Sequence, residues 1–395
     1  MSGLKEWLEQ DAGSSKRNVT LDAVAQDDSL YVDYDDASSD SEMRIKADYK
    51  RSITRKIAFG MGCFAATLVI AGYVITYGDY PLEFGQVYGI IWDHILNGPP
   101  SPDEVIPFME DHVVWNLRLP RVIVAIVAGF GLAVAGAVMQ STLKNPMADS
   151  YTTGVSAGAA FGATLSIVLG VNIVSYDFSL VLNAFVFSLA PTMLIVAISR
   201  TRRMSSTSMI LAGLAVMYIF SAMTAALKLM AEPDALASLY RWQVGTLNNM
   251  TWDEVPVMLA VTVIGSIIIM LLSGKINILA SGDDDAKALG IDAQKLRVVC
   301  LVIVSLITAA IVSYTGTIGF VGLVSPHVAR IFIGSDNRYL IPASAFFGAL
   351  LMLASDFIGR VVLAPSVLEV GVVTAFIGGP MFLFLILRQH KEVWT

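Results

Sequence analysis

Long apolar runs separated by short polar stretches organise this chain. They lie at about 57–77, 119–140, 154–171, 180–199, 209–230, 255–273, 297–315, 319–334, 341–361 and 371–388. The runs are continuous rather than alternating, and most are long enough to cross a hydrocarbon core of about 30 Å as helices. The pattern therefore predicts an all-α integral membrane protein of about ten spans and excludes a barrel, which needs period-two alternation. The shortest run, GFVGLVSPHVARIFIG at 319–334, holds a proline, a histidine and an arginine, so it is expected to be shielded by its neighbours. Small residues recur at helical spacing, first at Gly129, Ala133 and Gly136, then at Gly154, Gly158 and Gly162. Close approach of helix backbones is the simplest use of such spacing, with a glycine-lined conduit as the alternative.

Charge sets the expected sidedness. The basic cluster KRSITRK precedes the first run and places the amino terminus in the cytoplasm, because cytoplasmic flanks collect Lys and Arg. Residues 78–116 carry Asp79, Glu83, Asp93, Asp103, Glu104, Glu110 and Asp111 but no Lys or Arg until Arg118, and read as an outside loop. With ten spans, Lys144, the cluster Arg200, Arg202 and Arg203, the pair Lys275 and Lys287, Arg330 with Arg338, and the end RQHKEVWT all fall inside. The whole chain has 395 residues, of which 55% are hydrophobic and 15% charged, against about 25% charged in a soluble domain. Its net charge of −7 comes largely from the first fifty residues. Residues 1–55 are accordingly expected to form a disordered, acidic cytoplasmic tail, 56–390 the ten-helix domain, and 391–395 a short cytoplasmic tail. The first segment lacks the basic start and apolar core of a secretory signal.

Candidate chemistry is sparse. The two cysteines, Cys63 and Cys300, sit inside apolar runs, and the four histidines are scattered, so neither a disulfide framework nor a metal site is expected. No phosphate-binding G-x-x-x-x-G-K-[ST] loop occurs. Asp356, beside Arg360, is the only acid well inside the later spans, so active transport would draw its energy from another subunit. The segment ILASGDDDAKALGIDAQKLR at 278–297 reads as a short amphipathic helix with Ser281 and Asp283 as caps and Gly290 as its end. Its acids Asp283, Asp284 and Asp285, set against Ala286, Ala288 and Leu289, suit docking into a partner's groove, although a plain connector has the same composition. In LKNPMADSYTTG, Asn145, Met147 and Asp149 could cap a pore or simply form a tight loop. Two runs begin at an arginine, Arg121 and Arg297, and lie five spans apart, which implies opposite orientation and an inverted repeat of the transporter kind. Arg118 and Arg121 begin an outer helix end and Arg360 closes another. They read either as snorkelling anchors or as a basic patch for an acidic partner.

The motifs RLPR, AGAVMQ, NPMADS and GVSAGAAFG, followed by GTIGFVGLVSPHVAR, GSDNR, SDFIGR and GVVTAFIGGPMFLFLIL, resemble those of the FecCD-type permeases. These are the membrane subunits of type II ABC importers for iron-siderophores, haem and cobalamin, and the resemblance covers about 55–390. It implies a cobalamin-permease-like fold in a homodimer, two ATP-binding-cassette ATPase subunits, an extracytoplasmic substrate-binding protein, and a place in the cell membrane. It also implies that this chain takes no cofactor and does no covalent chemistry. By the same resemblance Asn145 and Met147 match one inner gate, and Ser206 and Thr207 the other. The helix at 283–290 matches the element that couples to the ATPase, and Arg118, Arg121 and Arg360 match the outer arginines that meet the binding protein. Met147 stands where leucine is common, and the acidic tail departs from the family. A secondary carrier driven by an ion gradient is the rival reading, and it would require a buried acid in the path. A non-transporting scaffold or sensor is a third. Iron-siderophore, cobalamin and haem all remain open as cargo, with ferric chelates first.

Overall fold

The computed structural model describes residues 34–78, 80–174, 178–202, 204–248 and 250–388. The described residues contain helices and no strand. The chain divides into two compact units, 1–54 and 55–395. Within the first, the expected acidic tail lies outside the described residues up to 33, while 34–54 are helical rather than irregular. The expected tail at 391–395 also lies outside the described residues.

The helices are α1 (Tyr34–Thr76), α2 (Phe84–Asn97), α3 (Val105–Asp111), α4 (Leu119–Leu143), α5 (Val155–Leu169), α6 (Ser179–Thr201), α7 (Ser206–Lys228), α8 (Pro233–Val244), α9 (Glu254–Ser281), α10 (Asp283–Ala288), α11 (Ala293–Thr315), α12 (Val321–Ile333), α13 (Asn337–Val362) and α14 (Val370–Arg388). Seven helical stretches are long and apolar enough to cross a membrane, and three shorter apolar helices, Val155–Leu169, Val321–Ile333 and Val370–Phe384, occupy the remaining predicted spans. Two of the short ones, α5 and α12, are largely enclosed, whereas α14 leaves Phe376, Leu383 and Phe384 exposed. α12, for example, buries Val324, Ser325, Pro326 and His327, and its Arg330 donates from Nη1 to Gln140 Oε1 at 3.1 Å.

α4 is the centre of the unit. It packs on α9, α11, α12 and α13, and small residues let the backbones meet. A Cβ at Gly129 would strike the carbonyl oxygen of Gly348, and one at Gly136 that of Gly322. Gly158 and Gly162 stand in the same relation to the carbonyls of Phe187 and Asn183, so the recurring small residues serve close packing. α4 and α11 run in opposite directions: Arg121 starts α4 at the end where α13 finishes with Arg360, and Arg297 lies at the other end against the last turn of α4. That antiparallel pair is what the inverted repeat requires.

Backbone is irregular where α8, α11 and α14 meet, and its polar groups are satisfied locally. Thr246 N donates to Thr315 O at 2.8 Å, Gly371 N to Gly245 O at 3.1 Å, and Thr317 Oγ1 to Gln243 O at 2.5 Å. Non-helical chain within a membrane protein is stable only when enclosed and paired in this way. Nearby, the Tyr151 hydroxyl donates to Ile318 O at 2.8 Å and accepts from Ile318 N at 3.1 Å. Tyr151→Phe leaves both groups unpaired and is expected to cost about 1–3 kcal/mol, read as a lower thermal midpoint of the purified protein.

One expectation fails here. Residues 78–116 are not a plain loop but hold α2 and α3 and lead through a π-helical stretch, His112–Arg118, into α4. A capping box between Glu83 and Gln86 starts α2, and Val87, Ile90 and Ile91 turn onto the core. His94 Nδ1 donates to Asp111 Oδ1 at 2.7 Å, fastening α2 to α3. Glu83, Asp93, Asp103 and Glu104 face solvent, whereas Asp111 is buried against His94.

Candidate transport site

Four of the predicted site residues lie at one end of the bundle, where α4 stops. Lys144 takes a left-handed conformation with φ 52°, and the chain turns through Asn145–Met147, stabilised by Asn145 Oδ1 accepting from Met147 N at 2.9 Å. Asn145, Ser206 and Thr207 line one open cavity of about 420 Å³ together with Ile210 and Leu211. Ser205 starts α7 by accepting from Ser208 N at 3.2 Å, which holds Ser206 and Thr207 in the first turn. Met147 is 56% exposed beside this cavity without lining it. The structure thus brings the two predicted gate segments, some sixty positions apart in sequence, onto one space.

α10 lies at the same end. Its cap differs from the expected one: Gly282 is the N-cap, and the Ser281 hydroxyl donates back to Asn277 O at 3.4 Å. Asp283 is turned instead to Lys144, whose Nζ is 3.1 Å from Oδ1, and to Arg297, whose Nη2 donates to the same oxygen. Asp284, Asp285, Ala288 and Leu289 are exposed, whereas Ala286 is fully buried in the core and cannot belong to a docking face. Gly290, at φ 74°, ends the helix as expected, with Ile291 N donating to Ala286 O at 2.8 Å. A cavity of about 560 Å³ separates α10 from Met204, Ser205 and the start of α11.

The Arg297 hydrogen bond, aided by Lys144, holds the Asp283 carboxyl below its ordinary range. A depressed carboxyl pKa gives an attachment that is complete at neutral pH and is lost as pH falls through the folded pKa, below about 4. Hydrogen-exchange protection of 283–290, corrected for intrinsic exchange, is therefore expected to stay flat from neutral pH down to about pH 5.

The opposite end carries the three predicted docking arginines, and here the structure differs from a free basic patch. Arg118 is 6% exposed and donates to the carbonyls of Ile75 and Thr76 at 3.2 and 3.0 Å, satisfying the end of α1, and to that of Tyr80 beyond it at 2.5 Å. Arg121 grips Asp356 through Nε and Nη2, at 3.0 and 2.8 Å from Oδ1. Arg360 Nη2 sits 2.9 Å from Asp356 Oδ2, an ion pair whose angle makes no hydrogen bond. Asp356 is 1% exposed, so the acid that stands out inside a later span neutralises arginines from two helices. A lone arginine at a helix end gives no sign of such a partner 235 positions away.

Among the described residues no group of three or more His, Cys, Asp or Glu side chains could hold a metal, and Cys63 and Cys300 are buried free thiols.

Comparison with known proteins gives these features a context. The FecCD transport family matches residues 56–388. A Methanocaldococcus jannaschii protein named as an ABC transporter permease is 37% identical over 89% of this chain and 100% of its own length. The hemin transport system permease of Yersinia pestis is 35% identical over 71% of this chain and 85% of its own, and the cobalamin import system permease of Halobacterium salinarum is 36% identical over 77% and 81%. A solved structure described as an inward-facing, metal-chelate type ABC transporter superposes with a TM-score of 0.72 at 27% identity, covering 83% of this chain and 98% of that one. With its apolar helices, its paired arginines at one end and its α4–α7 cavity at the other, this multi-pass membrane permease belongs to the FecCD transport family.

Proposed function

We propose that the chain is the membrane subunit of an ATP-driven importer that carries a bulky metal chelate, a ferric siderophore or citrate, haem or cobalamin, into the cytoplasm. Two copies would enclose the path, two separate ATPase subunits would sit against α10, and an extracytoplasmic binding protein would deliver the cargo to the arginine end. Both termini, α10 and the Asn145 turn are then cytoplasmic. The observation that carries this reading is the convergence of Asn145 with Ser206 and Thr207 on one cavity, beside a short exposed acidic helix. A gate adjacent to a docking element is what energy supplied by another subunit demands. The relatives' named cargoes, hemin and cobalamin, support the chelate class.

Docking of the binding protein would use the excess positive charge of Arg118, Arg121 and Arg360 over the single Asp356. Since Arg121 and Arg360 share one buried acid, reversing either charge would disturb the fold, so Arg360→Gln, which removes one positive charge and leaves Asp356 paired with Arg121, is the informative variant. It is expected to keep the protein folded and to weaken binding-protein affinity several-fold, as measured by surface plasmon resonance.

The proposal is tested by co-expressing the chain with its ATPase and weighing the complex by light scattering, with the ligand retained by the binding protein identified by mass spectrometry. Two permease and two ATPase copies with a metal chelate are expected. A lone permease that never retains the ATPase contradicts the proposal.

A further inference from the structure

The last polar residues of α4 each reach a different element. Gln140 Nε2 donates to Leu323 O on α12 at 3.2 Å. Ser141 Oγ donates to Asn337 Oδ1 at the start of α13 at 2.7 Å, and Asn337 Nδ2 in turn donates to Asn277 Oδ1 on α9 at 2.8 Å. Thr142 O accepts from Arg297 Nε on α11 at 3.1 Å, and Lys144 Nζ donates to Asp283 Oδ1 on α10 at 3.1 Å. Asn145 follows directly. The turn at the gate is therefore fixed to the bundle on its upstream side and to α10 at the single residue between α4 and the gate.

Two further facts give this arrangement mechanical content. Arg297 is 2% exposed, so its charge needs the Asp283 carboxylate, and that need pins the start of α10 against α4. Lys144 holds a left-handed backbone, disfavoured for a non-glycine residue, and its side chain there reaches Asp283. Were α10 to shift with the pair intact, Lys144 would be drawn along; were the pair absent, the turn could relax without α10. None of these bonds reaches Ser206 or Thr207 on the far side of the cavity.

We propose that Lys144, with Asp283 and Arg297, is the link through which displacement of α10 is passed to the Asn145–Met147 turn, so that Lys144 is a positioning residue for transport although it need touch no cargo. This inference rests on the importer reading and adds the route by which the gate feels the ATPase.

The test uses the full transporter with its ATPase in liposomes or nanodiscs. Cys63 and Cys300 are replaced by serine, and spin labels are placed at Met147→Cys and Lys287→Cys, the latter exposed on α10 and outside the residues assigned to ATPase docking. Distances are read without nucleotide and after trapping with ATP and vanadate. In the parent protein the two labels are expected to keep one distance in both states, because turn and helix move together. Lys144→Gln is expected to separate them on trapping, with a broadened distribution, and to lower cargo carried per ATP hydrolysed by about tenfold, within the usual span of coupling between sites. ATP hydrolysis and copurification with the ATPase should persist, and Lys144→Arg should restore the parent behaviour.

Lys144→Gln transport per ATP equal to the parent's overturns the link. So does a parent distance that already changes on trapping, or a variant that fails by losing the ATPase. If instead the parent complex hydrolyses no ATP, the importer reading itself fails, whatever Lys144 does.

Discussion

Asp356→Ala is expected to abolish most of the folded, detergent-soluble protein. Asp356 is 1% exposed and faces Arg121 and Arg360, whose side chains are 17% and 10% exposed. Removing it strands two enclosed guanidinium groups of like charge near one another. Breaking a buried ion pair by deleting one partner typically costs about 3–5 kcal/mol, because the orphaned charge cannot regain water. Replacing all three residues together, by Arg121→Met, Asp356→Leu and Arg360→Met, removes the orphaned charges and is expected to lose less than the single change. Thermal unfolding followed by size-exclusion chromatography separates the two outcomes. A single variant as stable as the parent, or less damaged than the triple one, would show that this cluster does not hold the arginine end.

Gly136→Ala is expected to be nearly as damaging, although it adds one methyl group to a helix. The added carbon would meet the carbonyl oxygen of Gly322, and backbone of a packed helix cannot swing aside as a side chain can. Overpacking of this kind costs about 1–3 kcal/mol or more, and here it would part α4 from α12. Gly89→Ala on α2 is the control. No atom lies within 4 Å of its would-be Cβ, so the better helix propensity of alanine should leave stability unchanged or raised by up to about 1 kcal/mol. Equal thermal midpoints for both variants would mean that α4 and α12 are not in backbone contact.

Much of the transmembrane plan could be read from the residues because the bilayer imposes it. Apolar length gave the spans, glycine spacing the close contacts of α4, and the motif with Asn145 and Met147 the turn that the structure places against Ser206 and Thr207. What remained hidden depended on pairing across the fold. Asp356 is uninformative until Arg121 is brought to it from 235 positions away, and Asp283 looks like a helix cap until Lys144 and Arg297 are seen to claim it. Local chemistry made the cap reading reasonable, since Asp before an apolar pattern commonly caps. A tertiary ion pair outweighed it. Likewise α2 and α3 escaped notice because their charge was read for sidedness, whereas Val87, Ile90 and Ile91 turn α2 onto the core and Asp111 fastens α3 to His94. Arg118 is a similar case, its donors spent on the carbonyl ends of α1.

The importer reading and its main rival differ in their energy source. A carrier driven by an ion gradient calls for a buried acid in the path. The described lining of the α4–α7 cavity offers Lys144, an amide and two hydroxyls among apolar residues, and no acid. The decisive measurement is uptake of the chelate retained by the binding protein into proteoliposomes holding the permease and its ATPase, with ATP inside or outside and with or without vanadate and ionophores. The account predicts uptake that requires ATP on the α10 side, stops with vanadate and ignores collapse of ion gradients. Uptake that persists with vanadate and disappears with the ionophore would contradict it.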